Sequence, residues 1–203
     1  ALAGQRAVIE GRIELDGEAI QAQSVPQRMQ RSLRYLTDDR LGEGSLPAFP
    51  ISLNLLLKRV GDAPFWRHGI EQPQAIETHA QRAIATHNIR APGPNTPLGS
   101  LSGGNVQKVL LARELEGQPR VVIYSKPTYG LDFRTQEVAH AAIRHQAAGG
   151  VAALLISPDL DELLALSHRV AVMAGGRIAG IVDNGPDARP DARRAIGRLM
   201  VAG

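Results

Sequence analysis

Between residues 101 and 166 the chain alternates stretches that suit helix with stretches that suit strand, and this order constrains the fold more than any other feature. Gly103 and Gly104 open a helical stretch that runs through residue 115. Residues 120–124 are a short, β-rich apolar run, and residues 134–148 read as helix. Residues 151–156 are wholly apolar, the pattern of a strand buried on both faces in a parallel sheet. Ser157-Pro158-Asp159 then begins another helix, to about residue 166. There Ser157 suits the cap, Pro158 the first helical position, and Asp159 and Asp161 the positive end of the helix dipole. Strand–helix–strand–helix order without an internal repeat predicts an α/β fold around a parallel sheet.

The flanking segments extend this reading. Residues 12–15 followed by Asp16-Gly17 carry the signal of a β hairpin. Residues 26–33 suit a short helix and 33–36 a short strand, while 38–50, with Gly42, Gly44, Pro47 and Pro50, is a loop. Helices are expected over 52–59 and 73–87; in the second, Ile76, Ala80, Ala83, Ile84 and His87 recur at helical spacing. Residues 90–97 hold three prolines and form a connector. Residues 169–173 and 177–182 predict a final strand pair joined by Gly175-Gly176, before a closing helix over 192–201.

Composition removes several classes of function. At 203 residues the chain is long enough for a real core, which must be aliphatic because only 3% of residues are aromatic. The net charge is only +3, and no basic run or basic–aromatic face marks a nucleic-acid partner. Without cysteine there are no disulfides or thiolate metal sites. The six histidines lack the spacing of metal ligands and read as structural or surface residues. The longest apolar run is too short to span a bilayer, and the chain opens at Ala1 with no signal-peptide pattern.

The chemistry concentrates in Leu101-Ser102-Gly103-Gly104-Asn105-Val106-Gln107-Lys108. Ser102 suits a helix cap with its hydroxyl facing the same way as the free backbone N–H groups. Two residues without Cβ let an anion approach those N–H groups, and the helix dipole adds attraction. The plain alternative is a capped helix after a turn.

The whole string resembles the signature motif of ABC transporter ATPases. Pro127-Thr128-Tyr129-Gly130-Leu131-Asp132 is similar to that family's passage from Walker B into the D-loop. The resemblance continues through residues 154–162, 169–173 and 176–178, and upstream through 12–17 and 36–44. Asn105 with Gln107-Lys108, the Asp39-Arg40 pair and the closing Ile196-Gly197-Arg198-Leu199-Met200 resemble the second ATP-binding half of importers for simple sugars and nucleosides. Residues 89–94 resemble the nucleoside-type branch.

The resemblance implies a P-loop NTPase-like ABC ATPase core with an inserted helical subdomain. Residues 1–50 and 118–203 would form the core, and 51–117 the helical part that carries the signature. In this family ATP with Mg²⁺ lies between two cassettes. Ser102, Gly103, Gly104 and Asn105 would then meet ATP held by a second ABC ATP-binding domain, with Gln107 supporting the helix start. Asp132 would be the D-loop carboxylate, and Asp38 stands at the Q-loop position. Membrane permease subunits are the implied partners, with a substrate-binding protein acting through them. The place of work would be the cytoplasmic, inner face of the cell membrane.

The departures limit what the chain does alone. No Gly-x-x-x-x-Gly-Lys-Ser/Thr string occurs in the 203 residues, so the resemblance implies that they begin downstream of the Walker A loop. Where the family places Asp and Glu after the Walker B strand, this chain has Ser125 and Lys126. A hydroxyl is a poor ligand for a hard cation, and a charged lysine has no lone pair with which to act as a base. Loss of a general base costs about 10²–10⁴-fold in rate, roughly 3–5 kcal/mol of barrier. Lys126 is read as a solvated charge at the strand end; the sharper alternative is a cation near phosphate that favours binding over turnover. Pro158 occupies the switch-histidine position and cannot contact a phosphate as an imidazole does. No catalytic residue and no metal ligand is therefore assigned to this chain, and whether it is an enzyme stays open. The alternatives are a truncated, non-catalytic remnant and a soluble ABC-family ATPase of DNA maintenance, although the long heptad coiled coil of the latter is missing.

Overall fold

Asp16 and Gly17 take positive φ values of 54° and 78° and close a tight hairpin between β1 (Glu14–Leu15) and β2 (Glu18–Ala19). The computed structural model to which this hairpin belongs describes residues 1–202, apart from the side chains of residues 189, 190 and 202. The chain divides into two units, Ala1–Leu154 and a second beginning at Leu155.

In the first unit, Ser24 precedes α1 (Val25–Gln30), and its backbone N–H is satisfied by Gln27 Oε1 at 2.8 Å. Arg28 is 1% exposed and donates to the carbonyls of Ala1, Leu2, Gln21 and Gln23, which fastens the first residues to this helix. Then β3 (Leu33–Leu36) pairs in parallel with β6 (Val121–Ser125), Leu33 opposite Val121. The sheet order is β3-β6-β7, with β7 at Ala152–Ile156. Ile20, Leu33 and Ile123 form one core, joined by Ala3, Ile13 and Leu15.

Between β3 and β6 lie α2 (Ile51–Leu55), a small hairpin of β4 (Trp66–Arg67) and β5 (Ile70–Glu71), α3 (Pro73–Thr86), a 3₁₀ turn at Leu98–Ser100 and α4 (Gly103–Leu115). Leu56, Phe65 and Ile76 make their core. Fully buried Glu114, in the last turn of α4, pairs with Lys58 and with Arg113, which also donates to Gly44 O at 2.8 Å. The helix α5 (Phe133–Ala148) packs on α4.

The second unit holds α6 (Leu160–Leu166), the antiparallel pair β8 (Arg169–Ala174) and β9 (Arg177–Asp183), and α7 (Arg189–Ala202). Val170, Val172 and Ile196 form its core with Leu160, Leu163 and Val182. Gly175 and Gly176, both at positive φ, make the turn that the sequence predicts. Asn184 is fully buried and donates to Leu164 O and Ser167 O.

Three expectations need correction, and one element is not marked in the sequence. The helix expected over 52–59 ends at Leu55, because the chain turns there with Leu56 N bonded to Leu53 O. The β4–β5 hairpin was not anticipated. Its turn is His68-Gly69, with φ 51° and 78°, and histidine is not a usual turn residue. β7 is a strand but is not buried: Leu154 and Ile156 are 41% and 48% exposed. It stands at the end of the sheet order, and no further strand pairs with it among the described residues. Finally, α6 is capped by Asp159, which accepts from the N–H groups of Asp161 and Glu162, so Ser157 and Pro158 lie outside it. A carboxylate followed by two residues with free amides outcompetes the earlier serine as a cap. Among the described residues no helix is long and apolar enough to cross a membrane.

Candidate functional site

Ser102 is the N-cap residue of α4, in extended conformation, and it and Gly103 are exposed. Its hydroxyl does not close the cap as the sequence suggests. Instead it accepts from Asn105 Nδ2 at 2.9 Å. Asn105 Oδ1 in turn accepts from Arg90 N at 2.8 Å, so this amide fixes both the serine and the preceding connector. The N–H groups of Gly103 and Gly104 lie in the first turn of α4, where no helical acceptor exists. A Cβ on Gly103 would meet nothing within 4 Å, whereas one on Gly104 would stand 2.8 Å from Thr135 Oγ1. Gly104 is thus required by packing against α5, and Gly103 is not. The result is an exposed helix start with free amides, a hydroxyl and open space, which suits an incoming phosphate oxygen.

Gln107 lies elsewhere than at the helix start. It is 1% exposed, donates to Pro127 O at 2.7 Å and accepts from Arg40 Nε at 2.7 Å. Arg40 also donates to Tyr129 O. Burial lowers the pKa of Arg40, and nearby Asp38 opposes that shift. One glutamine and one arginine therefore tie together the loop after β3, the helix α4 and the segment after β6.

Asp38, Ser125 and Lys126 converge at the end of β6. Ser125 Oγ donates to Asp38 Oδ1 at 3.0 Å, and Lys126 Nζ sits 2.8 Å from Asp38 Oδ2. The lysine hydrogen bond holds the Asp38 carboxyl below its ordinary range, reinforced by Ser125 and opposed by partial burial. The same bond, with the charge of Asp38, raises the Lys126 ammonium. Lys126 is thus not a free solvated charge, as the sequence reading has it, but half of an ion pair. Its backbone is left-handed, with φ 42°.

These groups do not fit a divalent cation. Magnesium takes near-octahedral oxygen ligation. The end of β6 presents one hydroxyl and an ammonium, and the carboxylate that reaches them is already engaged by that ammonium. No cluster of three or more His, Cys, Asp or Glu residues suited to a metal occurs among the described residues.

Asp132 is the N-cap of α5, accepting from Thr135 N at 3.0 Å and Thr135 Oγ1 at 2.8 Å. Those bonds, the side-chain one foremost, lower its pKa. Pro158 lies in the second unit, between β7 and α6. Sequence reasoning missed the bridging by Arg40 and the packing duty of Thr135. The Asp39-Arg40 pair was visible as a motif, but nothing in its spacing pointed to Gln107, 67 positions away.

No family model matches the chain. It is 38% identical over 189 residues to the ribose import ATP-binding protein RbsA 2 of Burkholderia pseudomallei, a match that covers 93% of this chain and 36% of that protein. It is 32% identical over its whole length to the nucleoside import ATP-binding protein NupA of Lactococcus lactis, covering 39% of it. The chain thus spans a little over a third of the length of these relatives. Among solved structures, a nucleotide-free ATP-binding cassette from an ABC transporter superposes with a TM-score of 0.78, over 98% of this chain and 79% of that one, at 17% identity. A dimeric cassette in a post-hydrolysis state with ADP and phosphate gives 0.69 over 88% and 75%, at 16% identity. The fold is therefore that of a P-loop NTPase-like ATP-binding cassette, and the chain is similar to a little over a third of the length of the ribose and nucleoside import ATP-binding proteins.

Proposed function

We propose that this chain is the C-terminal part of an ATP-binding subunit of an importer for simple sugars or nucleosides, and that the start of α4 completes an ATP site on a second cassette. The observation that carries the proposal is the open space at Gly103, beside free amides and the Ser102 hydroxyl. The fold has no packing need for a glycine there, and an approaching phosphate does. Because Ser102 Oγ accepts from Asn105, its own proton remains available to an anion. The partner cassette supplies the phosphate loop and holds ATP with Mg²⁺. This chain's own β6 end, with Ser125 and Lys126, supplies no carboxylate for hydrolysis.

In this reading residues 51–117 are the helical part that carries the signature, and 1–50 with 118–203 the core. Asp132 faces the partner cassette, and the loop around Asp38 lies toward membrane permease subunits. The assembly works at the cytoplasmic face of the membrane, fed by a substrate-binding protein through the permease. The names of the relatives support the importer class.

Photolabelling tests the reading. The chain is mixed with a cassette that has an intact phosphate loop, in the presence of a photoreactive ATP, and labelled peptides are mapped. Labelling near Ser102 that depends on the partner is expected; its absence refutes the assignment.

A second reading is a non-catalytic remnant of such a domain without transport role. The apolar strand β7 is exposed, and a sheet face left bare in this way is sticky. Dye binding and fast hydrogen exchange of the isolated chain support that reading, while a compact, well-protected monomer contradicts it.

A further inference from the structure

The end of β6 holds its own cation. Asp38 takes Ser125 Oγ on one carboxylate oxygen and Lys126 Nζ on the other. Both donors sit on consecutive residues, and Lys126 reaches its place through a left-handed backbone that a lysine rarely adopts. A second cross-link lies one turn of loop away, where Arg40 spans Gln107 Oε1 and Tyr129 O. The loop over residues 37–44 that carries both cross-links is also closed on itself. Gly42 N donates to Asp39 Oδ1, Gly44 N to Asp39 O, and Asp39 N to Thr37 Oγ1.

We propose that the Lys126 ammonium stands in the place of a divalent metal between Asp38 and Ser125, so that the loop over residues 37–44 is fastened to β6 without metal or nucleotide. A divalent cation arriving here has to displace an ammonium from the carboxylate, and then sits beside that same positive charge. The hydroxyl of Ser125 gives it little in return. The loop accordingly keeps one position whether or not magnesium is present. The identification of this place as a metal position rests on the proposed reading of residues 38, 125 and 126. The fastening itself rests on the distances alone.

Manganese, whose spectrum reports binding directly, is the probe. Electron paramagnetic resonance on the wild-type chain is expected to find no bound Mn²⁺ at this site at millimolar concentration; binding that disappears in D38N overturns the proposal. The variant S125D/K126E places carboxylates beside Asp38 and is expected to bind Mn²⁺. Failure to do so overturns the claim that the ammonium stands in for a metal. Hydrogen exchange of residues 39–44 reads the fastening. Magnesium is expected to leave it unchanged in the wild type, and Lys126→Met to speed it by up to about fivefold, the limit for a half-exposed pair. A Mg²⁺-dependent slowing in the wild type, or no change in Lys126→Met, overturns it. These measurements need neither partner nor ATP. A negative photolabelling result near Ser102 therefore leaves the proposal standing, and the reverse holds as well.

Discussion

Gly103 and Gly104 are neighbours in one motif, yet the fold treats them differently, and substituting each by alanine separates packing from function. A Cβ on Gly104 would come within 2.8 Å of Thr135 Oγ1 and 3.1 Å of Thr135 Cγ2. Thr135 cannot rotate away freely, because its hydroxyl donates to Asp132 Oδ2 at 2.8 Å and its N–H to Oδ1. Overpacking of this kind costs about 1–3 kcal/mol. Replacing glycine by alanine in a helix returns about 1 kcal/mol, so Gly104→Ala should destabilise the chain by up to about 2 kcal/mol. Gly103→Ala meets nothing within 4 Å and sits at ordinary φ, so only the favourable part remains, about 0.4–1 kcal/mol of added stability. Urea unfolding followed by circular dichroism measures both. Photolabelling of the paired cassettes then supplies the second axis. Gly103→Ala should fold at least as well as the wild type and still lose labelling, because its methyl group fills the space in front of the free amides. Equal stability effects for the two variants would refute the packing argument. Full labelling of Gly103→Ala would refute the claim that the open space serves a phosphate.

Other perturbations probe the groups that hold this region in place. Gln107→Ala removes the link to Pro127 O and strands Arg40 Nε, and should cost about 2–3 kcal/mol in urea unfolding. The same substitution in an Arg40→Ala background should cost clearly less, and additive effects would show that the two residues do not act together. Glu114→Ala leaves Lys58 and Arg113 without their fully buried counter-charge and should cost about 3–5 kcal/mol by the same assay. Glu116 has a carboxyl held below its ordinary value, first by the His79 hydrogen bond and then by the charges of His79 and Arg59, against partial burial. A lowered folded pKa means that its stabilisation is complete above the unfolded value of 4.5 and fades as pH falls through the folded one. Unfolding midpoints of Glu116→Gln and wild type, measured across that window, should therefore converge in acid; a constant gap would contradict the assignment.

The order of elements was legible because each has a local cause. Asp16-Gly17 and Gly175-Gly176 close hairpins, Ser102 precedes α4, and Asp132 precedes α5 at the place the sequence marks. Part of what escaped the sequence depends on partners far along the chain, and part on a choice between local alternatives. The apolar run of β7 reads as buried, because periodicity reports what a strand could cover and not whether anything covers it; Leu154 and Ile156 are left open. Ser157 and Asp159 are both good caps two residues apart, and the choice between them lies in the backbone. At the candidate site, the exposed glycines were readable as an anion-binding pattern. The pairing of Lys126 with Asp38 was not, since 88 positions separate them.

The two ends of the candidate region differ in how their polar groups are spent. At the end of β6 the polar side chains are paired with one another: Ser125 and Lys126 bind Asp38, and Arg40 binds Gln107 and Tyr129 O. At the start of α4 the side chain of Asn105 is spent on Ser102 and Arg90, but only to position them, and the first amides and the Ser102 proton remain outward. A cassette that hydrolysed its own nucleotide would need the β6 end open to a metal. A cassette that only completes another's site needs the α4 end open and gains rigidity when the β6 end is closed. The polar bonding in this chain is what the proposed function expects of the second kind.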